Sequence, residues 1–121
     1  MTARRHDPGS LTRLFHEPSR LAILSALCAS RDGLAFTELR AACRLTDGNL
    51  SRHLDVLADD GVVRIRKTFV DDKPRTTVHV TRDGLARFNA YLENLAAVLQ
   101  EARQAARRDG SAHVAQAAAR A

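Results

Sequence analysis

Between residues 37 and 106 the apolar period of this chain switches twice, from helical to alternating and back, and that order admits few folds. Leu39, Ala42 and Cys43, behind Thr37 and Glu38, predict a helix of at most two turns. Only Arg44, Leu45 and Thr46 separate it from the next one. Thr46 stands as an N-cap, Asp47 puts negative charge on the first turn, and Leu50, Leu54 and Leu57 recur at i, i+4 and i+7 until Gly61 closes the segment. Segments 62–69 and 76–81 are β-branched and partly alternating, which predicts two antiparallel strands around a polar loop at 70–75. Thr81 then caps a long helix with Leu85, Phe88, Leu92, Leu95, Leu99, Ala102 and Ala106 spaced three and four in alternation.

Upstream, Ser10 is placed to cap a short helix carrying Leu11, Leu14 and Phe15. A second helix opens at Pro18 or Ser19 and carries Leu21, Leu24, Leu27 and Cys28 until Asp32-Gly33. The chain therefore reads as mainly α with one β-hairpin, an α+β class ending in a long helix. A helix over 83–108 is about 39 Å long at about 1.5 Å per residue, more than a small domain covers, so part of it calls for a partner.

A length of 121 residues fits one domain with tails. We expect a flexible leader at 1–9, a folded domain at 10–109 and a disordered tail at 110–121, where the Ala-rich sequence offers almost no large side chain to dock. No apolar run approaches the roughly 20 residues of a membrane span. Asp7, Pro8 and Gly9 stand where the apolar stretch of a secretory signal would begin. Cys28 and Cys43 are too few for a disulfide-stapled secreted domain, which implies a reducing, cytoplasmic setting.

Residues 37–59 read as a helix-turn-helix. With Leu50, Leu54 and Leu57 buried, a rotation of about 100° per residue puts Gly48, Arg52 and Asp55 on the opposite face, flanked by Asn49, Ser51 and Val56. Those groups suit the major groove of double-stranded DNA. Arg52 can donate bidentately to guanine, Asn49 can bond adenine, Ser51 reaches base or phosphate, and Asp55 can accept from cytosine; Gly48 lets the helix N-terminus come close. The hairpin adds Arg66, Lys67, Lys73 and Arg75 for flanking phosphate or the minor groove. Net charge supports this only weakly: the excess of +5 is spread, with seven basic against seven acidic residues over 47–83. For a homodimer, Leu11, Leu14, Phe15, Leu92, Leu95, Leu99, Ala102 and Ala106 are the expected intersubunit contacts. Two-fold symmetry then sets two reading helices about 34 Å apart.

The run Leu45-Thr46-Asp47-Gly48-Asn49-Leu50-Ser51-Arg52-His53-Leu54, continuing to Leu57 and Gly61-Val62-Val63, resembles the recognition-helix signature of bacterial winged-helix transcriptional regulators of the MarR and ArsR groups. Pro18-Ser19-Arg20-Leu21-Ala22-Ile23-Leu24 and Val80-Thr81-Arg82-Asp83-Gly84 resemble that family's first core helix and its junction from strand to last helix. The likeness spans roughly residues 11–100 and is closest to short members made of a winged helix and a dimerising C-terminal helix. It implies a winged helix-turn-helix fold and dimeric, sequence-specific binding to a near-palindromic operator, usually to repress. Asp71 and Asp72 depart from the pattern, because carboxylates at the wing tip repel phosphate.

Two other readings stay open. One is a protein-interaction module using the winged-helix surface or the C-terminal helix. The other is a repressor gated by a small-molecule effector at the dimer interface, or by the thiols of Cys28 or Cys43. Both cysteines are expected in the core, as small apolar residues. His53, beside the leucine stripe, reads as a packed histidine. His6, His16, His79 and His113 lack ligand spacing, so no metal or cofactor is expected. No phosphate loop, nucleophile elbow or carboxylate pair points to an enzyme.

Overall fold

The computed structural model describes residues 7–120, with side chains described to residue 110. The elements run α1 Pro8–Phe15, α2 Pro18–Cys28, β1 Leu34–Ala35, α3 Phe36–Cys43, α4 Asp47–Asp59, β2 Val63–Val70, β3 Lys73–Val80 and α5 Arg82–Arg120. This is a winged helix: helices with a three-stranded antiparallel sheet of order β1-β3-β2 and a hairpin wing. The chain divides into two units, residues up to 91 and residues from 92 on.

Local chemistry starts and stops the helices. Prolines open α1 and α2 at the position where a missing N–H is harmless, so α1 begins at Pro8 behind Asp7 rather than at Ser10. Part of the expected leader is therefore helix; residues 1–6 of it lie outside the described residues. Glu17 caps α2, accepting from the Arg20 N–H at 2.9 Å. Burial pushes this carboxyl up, but the Arg20 and Ser19 N–H groups, with the charges of His53 and Arg20, outweigh it and hold its pKa below the usual value. The two residues of β1 are too few for a period to show in the sequence. Gly33 makes their entry possible with φ at 80°, where an added Cβ would also lie 2.6 Å from the Val78 carbonyl.

The loop expected at 70–75 is a two-residue turn. Asp71 and Asp72 have φ of 53° and 62°, as a type I′ turn demands, and the ladder runs from Val63↔Val80 to Val70↔Lys73. Aspartate tolerates this conformation better than most L residues, which is why two of them extend both strands past the stretch their β-branching marks.

Leu11, Phe15, Ile23, Leu24, Leu39, Leu50, Leu57, Val62 and Val78 are fully buried. Each such large side chain contributes about 1.5–3 kcal/mol. Phe15 meets Phe88 edge-on at 5.3 Å and Tyr91 at 5.7 Å. Two expected core positions differ. Cys28 is exposed, because α2 turns Ile23 inward with Leu24 and Leu27, and Cys43 at the end of α3 is half-buried. Leu85 is 40% exposed, because α5 packs through Gly84, Arg87, Phe88 and Tyr91.

The end of α4 is tied to the start of α5. Thr81 Oγ1 donates to the Gly61 carbonyl at 2.6 Å and accepts from the Gly84 N–H at 2.9 Å. A Cβ on Gly84 would stand 2.2 Å from the Val62 carbonyl oxygen, so the close approach requires glycine. Arg87, 1% exposed, donates to the Asp60 carbonyl at 2.7 Å and pairs with the carboxylates of Asp60 and Asp83. In the second unit α5 stays helical to Arg120, past Gly110, where a disordered tail was expected. High alanine propensity over 112–119 outweighs the roughly 1 kcal/mol that one glycine removes.

Candidate nucleic-acid interface

The turn between α3 and α4 is three residues long because α3 closes tightly. Arg44 adopts a left-handed conformation with φ at 55°, the Leu45 N–H reaches back to the Arg40 carbonyl at 3.1 Å, and the Arg44 N–H reaches Ala41. Thr46 then caps α4, its hydroxyl accepting from the Asn49 N–H at 3.2 Å. Arg40 pairs with Asp47 at 3.2 Å across the turn, an exposed ion pair, while Asp47 meets the positive end of the α4 dipole.

The inner face of α4 is Leu50, His53, Leu54 and Leu57. His53 is 8% exposed, with Arg20 Nε 3.4 Å and Glu17 Oε2 3.8 Å from its Nδ1. It belongs to the packing behind the helix. The outer face is Gly48, Asn49, Ser51, Arg52 and Asp55, all exposed. Arg52 donates to Asn49 Oδ1 at 3.4 Å, so these two side chains steady each other on one turn. Around Gly48 an added Cβ would meet nothing within 4 Å. The fold itself has no use for glycine at that position.

The hairpin divides the expected wing residues. Lys67 and Ile65 line a groove against Ser51 and Asp55 of α4. Arg66 lies on the other face of β2, in a cleft with Arg64, His79 and Arg82. Arg75 is paired with Glu38 at 3.3 Å, and Glu38 also accepts from the Ala35 N–H. Lys73 stands exposed beside the Asp71-Asp72 turn. Lys67 thus adjoins the α4 face, whereas Arg66 and Arg75 do not join it. Arg64, Arg82 and Arg44 escaped the sequence reading. The Arg64/Arg66 alternation signals the first, but no periodicity marks an arginine in a left-handed turn.

Of the expected intersubunit residues, Leu11, Leu14 and Phe15 are 0%, 6% and 0% exposed in the chain's own core. Their side chains have no free surface to offer a second subunit. Leu92, Leu99, Ala102 and Ala106 are exposed, and Leu95 is half-buried. Burial raises both cysteine pKa values, which lowers their thiolate content. Among the described residues no helix is long and apolar enough to cross a membrane.

Residues 19–99 match the family of winged helix DNA-binding domains. An uncharacterized protein of Methanocaldococcus jannaschii is 31% identical over 80 residues, covering 66% of this chain and 86% of its own. Among solved structures, a transcriptional regulator homologue from Pyrococcus horikoshii aligns with a TM-score of 0.69 at 32% identity, over 74% of this chain and 88% of its own. A MarR-family transcriptional regulator from Silicibacter pomeroyi aligns at 0.57 and 25% identity, over 85% and 69%.

Proposed function

The chain belongs to the family of winged helix DNA-binding domains, and on that premise we propose that it is a cytoplasmic transcriptional repressor that binds a near-palindromic operator as a homodimer. The observation that carries this reading is the outer face of α4: four exposed residues with base-matching groups beside Gly48, presented by a helix whose inner face is fully packed. In this reading Arg52 donates to guanine O6 and N7, Asn49 bonds adenine, and Ser51 reaches base or phosphate. Asp55 accepts from cytosine N4. Gly48 lets a phosphate approach the N–H groups of the first turn, where the dipole favours an anion. Arg44 and Lys67 flank that face and neutralise backbone phosphates; Arg66 and Lys73 extend the contact along the hairpin. Arg75 adds to this contact from its exposed pair with Glu38.

Exposed Leu92, Val98 and Leu99 on α5, continued by Ala102 and Ala106, support a helix-to-helix contact between subunits. Two α4 helices related by a two-fold axis would then meet half-sites about 34 Å apart. Repression follows if such a dimer occludes the promoter it sits on.

The test is fluorescence anisotropy with duplex from upstream of the protein's own reading frame, beside a scrambled duplex, over about 50–200 mM salt. Preferential binding with a steep salt slope is expected. Arg52→Ala is expected to weaken operator binding by about 1–3 kcal/mol and to relax sequence preference, with an unchanged melting temperature. Equal, weak binding of both duplexes by the unmodified protein would overturn the reading.

A further inference from the structure

The tip of the hairpin has the wrong charge for a phosphate grip. Its turn is Asp71-Asp72, with the positive φ values of a type I′ turn, and behind it Val70 stands opposite Lys73 and Phe69 opposite Pro74. Phe69 is 77% exposed, the most open of the large apolar side chains described, and Val70 is 47% exposed. Strand alternation puts the two on opposite faces. Pro74 stands opposite Phe69 in the ladder. Since Val70↔Lys73 closes the turn, Phe69↔Pro74 is a non-hydrogen-bonded pair, where opposed side chains come closest and proline's missing N–H would point away from the ladder. The tip thus carries two carboxylates at its turn, one ammonium beside them, and exposed apolar side chains on both faces. That composition disfavours DNA and suits a protein surface that is basic around an apolar floor.

This chain carries such a surface. On α5, Ala96 and Leu99 form the floor of a groove that Arg103 and Arg107 close, with Gln100 and Gln104 between them and no acidic residue in the lining. Arg103 and Arg107 are i and i+4 on one helix face, about 5–6 Å apart at Cβ, and neither has an ion pair among the described residues. The two adjacent carboxylates would complement the two adjacent guanidinium groups, and the hairpin face that carries Phe69 and Pro74 would complement Ala96 and Leu99.

We infer that the hairpin tip of one copy docks on the Leu99–Arg107 groove of α5 in a second copy. The contact is separate from the α4 face, so it stands whether or not the DNA assignment does; it draws on Leu99, which the proposed helix-to-helix contact also uses, so the two compete for that side chain. It joins each protein's wing to another's helix.

Sedimentation velocity over a concentration series at low and high salt tests this. Arg103→Glu/Arg107→Glu, on an exposed helix face, is expected to weaken self-association about tenfold or more, because carboxylates then face carboxylates. Asp71→Arg/Asp72→Arg should do the same, and the two sets combined should restore association to within about threefold of the original. Asp71→Asn/Asp72→Asn keeps side chains that tolerate the left-handed turn and covers the case in which arginine unfolds the hairpin; it too should weaken association. Phe69→Ser tests the apolar half, with loss of association that high salt does not mimic. The inference is overturned if the reversed variants associate as the original does, or if the combined reversal fails to restore what each reversal removes. It is also overturned if Asp71→Asn/Asp72→Asn leaves association unchanged and only tightens binding to duplex, which would assign the tip to DNA.

Discussion

Helices α3 and α4 end with the same backbone geometry and opposite residue choices. After α4 the Val62 N–H returns to the Leu57 carbonyl at 2.9 Å and the Gly61 N–H to Ala58 at 3.0 Å, with Gly61 left-handed at φ 77°. After α3 the Leu45 N–H returns to Arg40 and the Arg44 N–H to Ala41, with Arg44 left-handed at φ 55°. An L side chain in that conformation costs roughly 1–2 kcal/mol. The turn behind α4 uses the residue that avoids this cost, and Thr81, Gly84 and Arg87 hold it against α5. The turn ahead of α4 accepts the cost and leaves the arginine exposed. Gly48 repeats the mismatch in reverse, since a helix with open space around that position would be steadier with alanine. Residue choice at the C-terminal end of α4 answers to the fold. At the N-terminal end it runs against the fold, which is the expected signature of a demand from outside the chain.

Three substitutions can break that contrast. The largest effect is expected from Gly84→Ala, whose new methyl meets backbone rather than a movable side chain; we expect a loss of about 3 kcal/mol, read as a lower urea midpoint. An unchanged midpoint would mean that the α4–α5 junction is not set by packing. Arg44→Gly comes next, with an expected gain of about 1 kcal/mol in stability and duplex binding about fivefold weaker, on a salt slope shallower by about one. If this variant were less stable, the arginine would be serving the fold and the contrast would fail. Gly48→Ala is the smallest, at about 0.5 kcal/mol more stable, with weaker operator binding because the methyl holds off the phosphate. Anisotropy at one salt concentration beside a thermal melt decides it: unaltered affinity would remove Gly48 from the interface.

Several parts of this molecule were legible before folding was considered. Thr46 as a cap, the Leu50, Leu54 and Leu57 stripe, and therefore the exposed Asn49, Ser51, Arg52 and Asp55 all follow from spacing within one helix. Other parts depended on distant segments. Leu85 lies on the helical seam, yet the close approach of Val62 to Gly84 turned Arg87, Phe88 and Tyr91 inward instead. Arg87 carries no sequence signal of burial, because its partners are Asp60, on the far side of the hairpin, and Asp83. Leu11, Leu14 and Phe15 were rightly read as an apolar face, but which surface would cover them could not be read, and the chain's own core covers them.

Local periodicity and capping determined the helices, the two long strands and the composition of the α4 face, because those depend on residues within about four positions of one another. Tertiary structure decided which cations keep a free charge. Arg75 is drawn to Glu38, 37 residues away, and Arg87 is buried against Asp60, while Arg52, Lys67 and Arg44 stay exposed. Charge acts through space, so only the folded chain sorts the guanidinium groups that hold it together from those it leaves for a partner.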